Sequence, residues 1–169
     1  PARGFSNLVI ELADAEKLPY ADSAFDLVTC RIAPHHFDAP GMFVREAQRV
    51  LKPGGQLAVV DNIVPDGIAG DYVNAFEKLR DPSHVRCLSI EAWQALFAQH
   101  NLVVEHAETL YKRVEFSTWA ARHPATMQSY LLAMLRLASG EAAEFLQPEL
   151  TAAPTFRLWE GIVIGRRAA

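Results

Sequence analysis

The stretch that decides the fold is Asp14–Asp61, DAEKLPYADSAFDLVTCRIAPHHFDAPGMFVREAQRVLKPGGQLAVVD. It divides into a loop, a short apolar run, a second loop, an amphipathic segment, a sharp stop and a second apolar run. Phe25-Asp26-Leu27-Val28-Thr29-Cys30 is rich in apolar and β-branched residues and reads as a strand covered on both faces. Phe43, Val44, Ala47, Val50 and Leu51 recur at helical spacing and form one apolar stripe. Lys52-Pro53-Gly54-Gly55 then ends the helix. It supplies a cation at the negative end of the dipole, a residue that cannot continue a helix, and two residues free to turn. Gln56–Val60 is the second strand, closed by Asp61. Strand, helix and strand at this spacing predict a right-handed crossover between parallel strands. Ligands of such sheets bind beyond the carboxyl ends of the strands, here Cys30–Phe37 and Asp61–Pro65.

Outward from this stretch, Leu8-Val9-Ile10-Glu11-Leu12 reads as a further strand leading into Asp14. Downstream, Ile68–Leu79 reads as a helix with Ile68, Tyr72, Val73, Phe76 and Leu79 on one side, broken by Asp81-Pro82-Ser83. Ser89 caps a helix over Ile90–Gln99 that faces Trp93, Leu96 and Phe97 inward. Leu102–Glu105 opens a strand that extends toward Phe116. Residues 117–150 read as helical, with Met127, Tyr130, Leu131, Met134, Leu135 and Leu137 on an apolar band. The Met and aromatic content suits an apolar ligand, but such a band is more often plain core. Ser139-Gly140 divides off a short last helix, and Thr155–Gly165 reads as a central strand. The expected class is therefore α/β. Its mixed sheet has parallel strands at Leu8, Phe25 and Gln56 and an antiparallel pair from Leu102 and Thr155.

A chain of 169 residues is normally one domain with a real core. Its net charge of −4, with basic residues scattered, gives no broad field for nucleic acid. No apolar run is long enough to span a bilayer and no signal-like N-terminus is present, so a cytoplasmic location is expected. Cys30 and Cys87 lie in different elements and read as two free thiols, with a disulfide as the alternative. His84 and Cys87 have metal-ligand spacing but no second pair, so no metal is expected.

Four motifs carry a resemblance: Asp14-Ala15-Glu16-Lys17-Leu18-Pro19-Tyr20, Phe25-Asp26-Leu27-Val28, His35-His36-Phe37, and Arg49-Val50-Leu51-Lys52-Pro53-Gly54-Gly55. In this order they resemble the central part of class I S-adenosylmethionine-dependent methyltransferases. The branch is that of the ubiquinone/menaquinone-biosynthesis C-methyltransferases, methyltransferase type 11. The resemblance runs to Pro65; beyond it only the order of elements matches. It implies a Rossmann-like methyltransferase sheet, closed by a C-terminal antiparallel hairpin, whose N-terminal part is missing. The family's glycine-rich turn and the acidic residue ending its second strand, which hold the cofactor's methionine and ribose, have no counterpart before Asp14. Pro1–Asn7 resembles the tail of the helix leading into the family's third strand. Residues 1–169 are thus expected to be the C-terminal two-thirds of a methyltransferase domain, with a helical, lid-like insertion over 117–150.

The resemblance also implies roles. Asp14 accepts from the adenine amino group, Ala15 N–H meets a ring nitrogen, and Glu16 belongs to the same cofactor loop. An ionised carboxylate accepts well and a small neighbour admits a planar base, although Asp is equally suited to capping its own turn. Cys30, Arg31 and Ile32 present backbone carbonyls to the cofactor's ammonium group. His35 and His36 are the candidate catalytic residues, since imidazole can take a proton from a nucleophile attacking the sulfonium methyl. In the plainer reading one histidine caps the turn and the other packs beneath it.

The implied function is methyl transfer from S-adenosylmethionine to a small-molecule acceptor, with this truncated chain inactive by itself. The competing class is a non-catalytic remnant or interaction module that keeps the fold. A nicotinamide dehydrogenase is disfavoured, because no G-x-G-x-x-G follows a strand. A missing first strand would leave one edge of the Phe25 strand open. Either the Leu8 strand fills that edge or two chains join, and a homodimer is expected.

Overall fold

A computed structural model describes residues 6–168. The strands are β1 (Phe25–Arg31), β2 (Leu51–Asn62), β3 (Leu102–Glu115) and β4 (Thr155–Arg167). The helices are α1 (Pro40–Val50), α2 (Gly67–Arg80), α3 (Ile90–Gln99), α4 (Phe116–Trp119), α5 (Ala125–Leu137) and α6 (Gly140–Leu146). The sheet order is β1-β2-β4-β3. β1 and β2 run parallel, with Val28 beside Leu57 and Cys30 beside Val59. β4, last in the chain, inserts antiparallel between β2 and β3. The crossover and the terminal hairpin are those expected.

One face of the sheet carries α1 and α3. There Phe43, Val44, Ala47, Leu57, Val59, Trp93, Phe97 and Val163 form a buried core. The other face carries α2 and α4–α6, and Val73, Phe76, Trp119, Leu131, Leu135, Leu146 and Phe156 form a second core. Phe76 stacks on Trp119, their ring centres 4.9 Å apart, and Phe156 meets the edge of both. The end of β4 also secures α1. The Arg167 guanidinium donates to the carbonyls of Gln48 and Arg49, in the last turn of α1, and of Leu51 just beyond it.

Several expectations are corrected. Leu8–Leu12 is not a strand: the segment pairs with no neighbour among the described residues, and Val9, Ile10 and Leu12 are exposed. Apolar, β-branched composition suits a strand, but only a partner ladder makes one. β1 is covered on one face only; Val28 and Cys30 meet the first core while Leu27, Thr29 and Arg31 face outward. Lys52–Gly55 is not a loop between helix and strand, because β2 begins at Leu51, opposite Phe25. The register slips between Phe25 and Leu27, and Gly54, at φ +78°, takes up the bulge. Ile68 lies outside the buried stripe of α2, which instead contains Asn74 and Glu77. The helical region splits into three helices, and Tyr130 and Leu137 on its apolar band are exposed. The reading of Pro1–Phe5 as a helix tail lies outside the described residues.

Gly165 lets α3 approach the central strand. A Cβ there would stand 2.5 Å from Phe97 Cδ1, with Val103 O at 3.3 Å. Gly165→Ala is expected to destabilise the fold by about 1–3 kcal/mol through overpacking. Thermal unfolding should show a midpoint lowered by roughly 2–10 °C. An unchanged midpoint would mean that α3 does not sit on β4 as described.

Candidate active site

The parallel pairing of β1 and β2 brings their carboxyl ends side by side, so the residues just beyond share one end of the sheet. β1 leaves the sheet through Ile32, whose N–H still donates to Val60 O at 2.8 Å. Ile32 has φ +49°, a left-handed conformation that a β-branched residue rarely adopts. Such strain gathers at functional sites, where surrounding structure enforces it. Pro34–His36 then forms one turn of 3-10 helix, begun by a proline whose φ suits it.

That turn delivers His35 to Asp61, the last buried residue of β2's first-core face. The His35 backbone N–H donates to Asp61 Oδ2 at 2.8 Å, and His35 Nδ1 pairs with Oδ1 at 2.6 Å. Asp61 is 1% exposed and His35 is 8% exposed. Burial alone would lower the His35 pKa. The hydrogen bond donated to Asp61 and the charges of Asp61, Glu77 and Asp81 outweigh it and raise the pKa above the ordinary value. With Nδ1 committed to Asp61, His35 Nε2 has no partner among the described residues. A carboxylate that fixes one ring nitrogen and leaves the other free is the arrangement of an oriented general base.

His36 has a different surrounding. It is exposed, and its Nδ1 lies 3.1 Å from Ser83 O and 3.3 Å from Ser83 Oγ. The segment after α2 is joined to the turn by its backbone as well, since Val85 and Arg86 N–H both donate to His35 O. His84, inside that segment, donates from Nε2 to Asn74 Oδ1 at 2.9 Å, and its ring centre is 5.6 Å from that of His35. Burial and the neighbouring positive charge push its pKa down to about 4. Asn74 also brackets the Cys87 backbone, accepting from its N–H and donating to its carbonyl. Among the described residues no group of three or more His, Cys, Asp or Glu could hold a metal.

The loop assigned to the cofactor is fastened to α1. Arg49 donates to the carbonyls of Leu18 and Tyr20 and to Asp22, while Glu46 accepts from Leu18 N–H and pairs with Arg49. Asp14 Oδ1 accepts from Glu16 N–H at 2.9 Å, which is the turn-capping arrangement; Oδ2 has no partner among the described residues. Ala15 is half-buried against the first core. Glu16 Oε1 accepts from the N–H of Ala39, the cap of α1, at 2.8 Å. Cys30 is half-buried, and burial with the nearby Asp61 charge pushes its thiol up to about 11. Arg31 is exposed.

Two residues at this end of the sheet were given no role from sequence. Asp61 lies inside the expected ligand region, but nothing in the sequence pairs it with His35. Glu77 sits on the buried stripe of α2, and its Oε1 has no hydrogen-bond partner among the described residues. A charged residue among Val73, Phe76 and Tyr72 at helical spacing is the signal that could have found it.

Removing the His35 ring leaves Asp61 buried without its partner. His35→Asn is expected to cost about 3 kcal/mol or more in urea unfolding near neutral pH. Because the folded-state pKa of His35 is raised, the stabilisation is full below the ordinary value of 6.5 and is lost as pH rises through the folded value. The gap between parent and variant should therefore shrink as pH rises above about 6.5. His36→Asn, which removes hydrogen bonds at the surface, should cost only about 0.5–1.5 kcal/mol. Equal costs for the two variants would refute the asymmetry.

Comparison with known proteins matches this end of the sheet to one family. The Methyltransferase domain family matches residues 2–59. The methyltransferase YcgJ of Bacillus subtilis, itself uncharacterised, is 37% identical over 145 residues, which are 84% of this chain and 57% of YcgJ. Its crystal structure superposes with a TM-score of 0.86 at 34% identity, covering 93% of this chain and 70% of that one. A Bacillus halodurans protein considered a methyltransferase, BH2331, gives a TM-score of 0.87 at 32% identity, covering 93% of this chain and 76% of that one. Escherichia coli YafE is 41% identical over 122 residues, 72% of this chain and 59% of its own length. The chain thus spans less than two-thirds of the curated sequences of YcgJ and YafE. With a Rossmann-like sheet in this strand order and these relatives, the chain belongs to the class I S-adenosylmethionine-dependent methyltransferases.

Proposed function

We propose that this chain supplies the acceptor-facing part of an enzyme that methylates a small molecule. The observation that carries the reading is the buried Asp61–His35 pair at the carboxyl ends of two parallel strands. S-adenosylmethionine, when bound, supplies an electrophilic methyl group on a sulfonium centre. Asp14, Ala15 and Glu16 hold its adenine end, and the backbone of Cys30, Arg31 and Ile32 holds its methionine end. Asp61 fixes the tautomer and direction of His35, and His35 Nε2 takes the proton from the acceptor's attacking group. His36 holds the turn against Ser83. The helices over 117–150 cover the acceptor and exclude water, which favours an in-line displacement that depends mainly on alignment.

Residues 1–13 contain no glycine-rich turn. The chain alone is therefore expected to bind S-adenosylmethionine about a hundred-fold or more weakly than a chimera that carries the N-terminal segment of YcgJ before it, since several backbone and ribose hydrogen bonds are added. Asp14→Ala in the chimera should cost about 1.5–3 kcal/mol of binding with the melting temperature unchanged. Calorimetric titration decides. Micromolar binding by the chain alone would overturn the dependence on that segment. No binding by the chimera would overturn methyl transfer and favour an interaction module.

A second feature supports self-association. Among the described residues no strand lies on the outer edge of β1, and Leu27 within it is exposed. On the same face of the sheet Ala58, Val60, Ile162 and Ile164 are only half-buried. The edge and the face together favour a homodimer. Light scattering over a dilution series should report twice the chain mass; a monomer at every concentration would refute it.

A further inference from the structure

On the α2 face, beyond the ends of β1 and β2, lies a cavity of roughly 430 Å³ lined by Arg31, Asn62, Glu77, Arg80, Lys112 and Glu160. Its apolar floor is Val114, Trp119 and Leu158. The charges in its wall are unequal. Lys112 Nζ is 2.6 Å from Glu160 Oε1, and Arg80 lies over the Trp119 ring with Nη1 3.9 Å from Glu77 Oε2. Arg31 has no ion-pair partner among the described residues and leaves one positive charge in excess. The Glu77 side chain is 8% exposed, and its Oε1 is unpaired. A buried carboxylate oxygen left unpaired beside an open cavity is completed by a donor, a water or an N–H or O–H of the occupant, while the excess positive charge at Arg31 is what an anion answers.

We infer that this cavity receives the carboxylate-bearing end of the methyl acceptor, with Arg31 and Lys112 as the residues that select it. The inference rests on the methyl-transfer reading and adds the acceptor's chemical class. A monoanion balances the single excess positive charge, whereas a phosphate dianion would bring surplus negative charge beside Glu160. An aromatic or other flat apolar body suits the floor of Val114, Trp119 and Leu158. Burial raises the Glu77 pKa despite the nearby Arg80 and His35. The strained Ile32 turns the chain away at the rim of the same cavity, leaving Arg31 beside it.

The test is a titration of this chain, followed by amide NMR shifts, with benzoate, neutral benzamide and phenyl phosphate as probes. Benzoate should move the resonances of Arg31, Ile32 and Asn62, and benzamide should not. Arg31→Gln and Lys112→Gln should each weaken benzoate by about tenfold or more. Arg136→Gln, on the exposed side of α5, should leave it unchanged. Equal response to benzoate and benzamide, or undiminished binding to Arg31→Gln, overturns the assignment. Tighter binding of phenyl phosphate overturns the carboxylate as the selected anion. The chimera's S-adenosylmethionine titration is read separately. If the chimera binds cofactor while benzoate leaves the cavity untouched, only the present inference fails. If benzoate binds but the chimera ignores cofactor, the acceptor role is overturned and a plain anion site remains.

Discussion

The position of β4 is the constraint on which the rest of this structure depends. It is the last strand made, yet it pairs along β2 on one side and along β3 on the other. Without it β1 and β2 form an isolated parallel pair, and β3 has no partner. Its two faces differ in character. Gly161 and Gly165 give up side chains so that Ile63, Ile90 and Phe97 can lie against the strand. Phe156 and Leu158, on the opposite face, pack into the second core. The strand's end then returns to α1 through Arg167. A contact of such long sequence separation makes closure of the sheet a late and non-local event.

At the carboxyl end of that sheet, polar groups are buried in a mostly satisfied network. Asp61 holds His35, Asn74 holds His84 and Cys87, and the His35 carbonyl receives two N–H groups from the segment after α2. Three separate pieces of chain are thereby fixed relative to one another by groups too buried to exchange them for water. Two histidines whose rings lie 5.6 Å apart are driven in opposite directions, His35 by a carboxylate and His84 by burial. Environments that push neighbouring pKa values apart assign different chemistry to like residues. Glu77 is the member of this neighbourhood with an unpaired oxygen, and it borders the polar cavity.

The two faces of the sheet bear different loads. The first is covered by α1 and α3 along β1, β2 and β4. The second is covered where α2 and α4–α6 stand and is half-bare toward Leu27, Ala58 and Ile164. The covered end of that face holds Trp119, Arg80 and Glu77 around the cavity. The polar cavity and the half-bare surface thus lie at opposite ends of one face.

The sequence by itself determined the elements whose cause is local. The stripe of α1, the Ser89 cap and the crossover between Phe25 and Val60 follow from spacing, capping and turn chemistry within short windows. The family resemblance, too, came from motifs within the first 65 positions, because a cofactor loop and a helix stop are local patterns. The tertiary structure decided what depends on a distant partner. Leu8–Leu12 has the composition of a strand and no ladder to join. His35 and His36 are identical in sequence terms, and only the neighbouring strand, which brings Asp61 beside one of them, makes them different. Glu77 carries no motif; its importance arises from burial, which removes the water that would otherwise pair its oxygen.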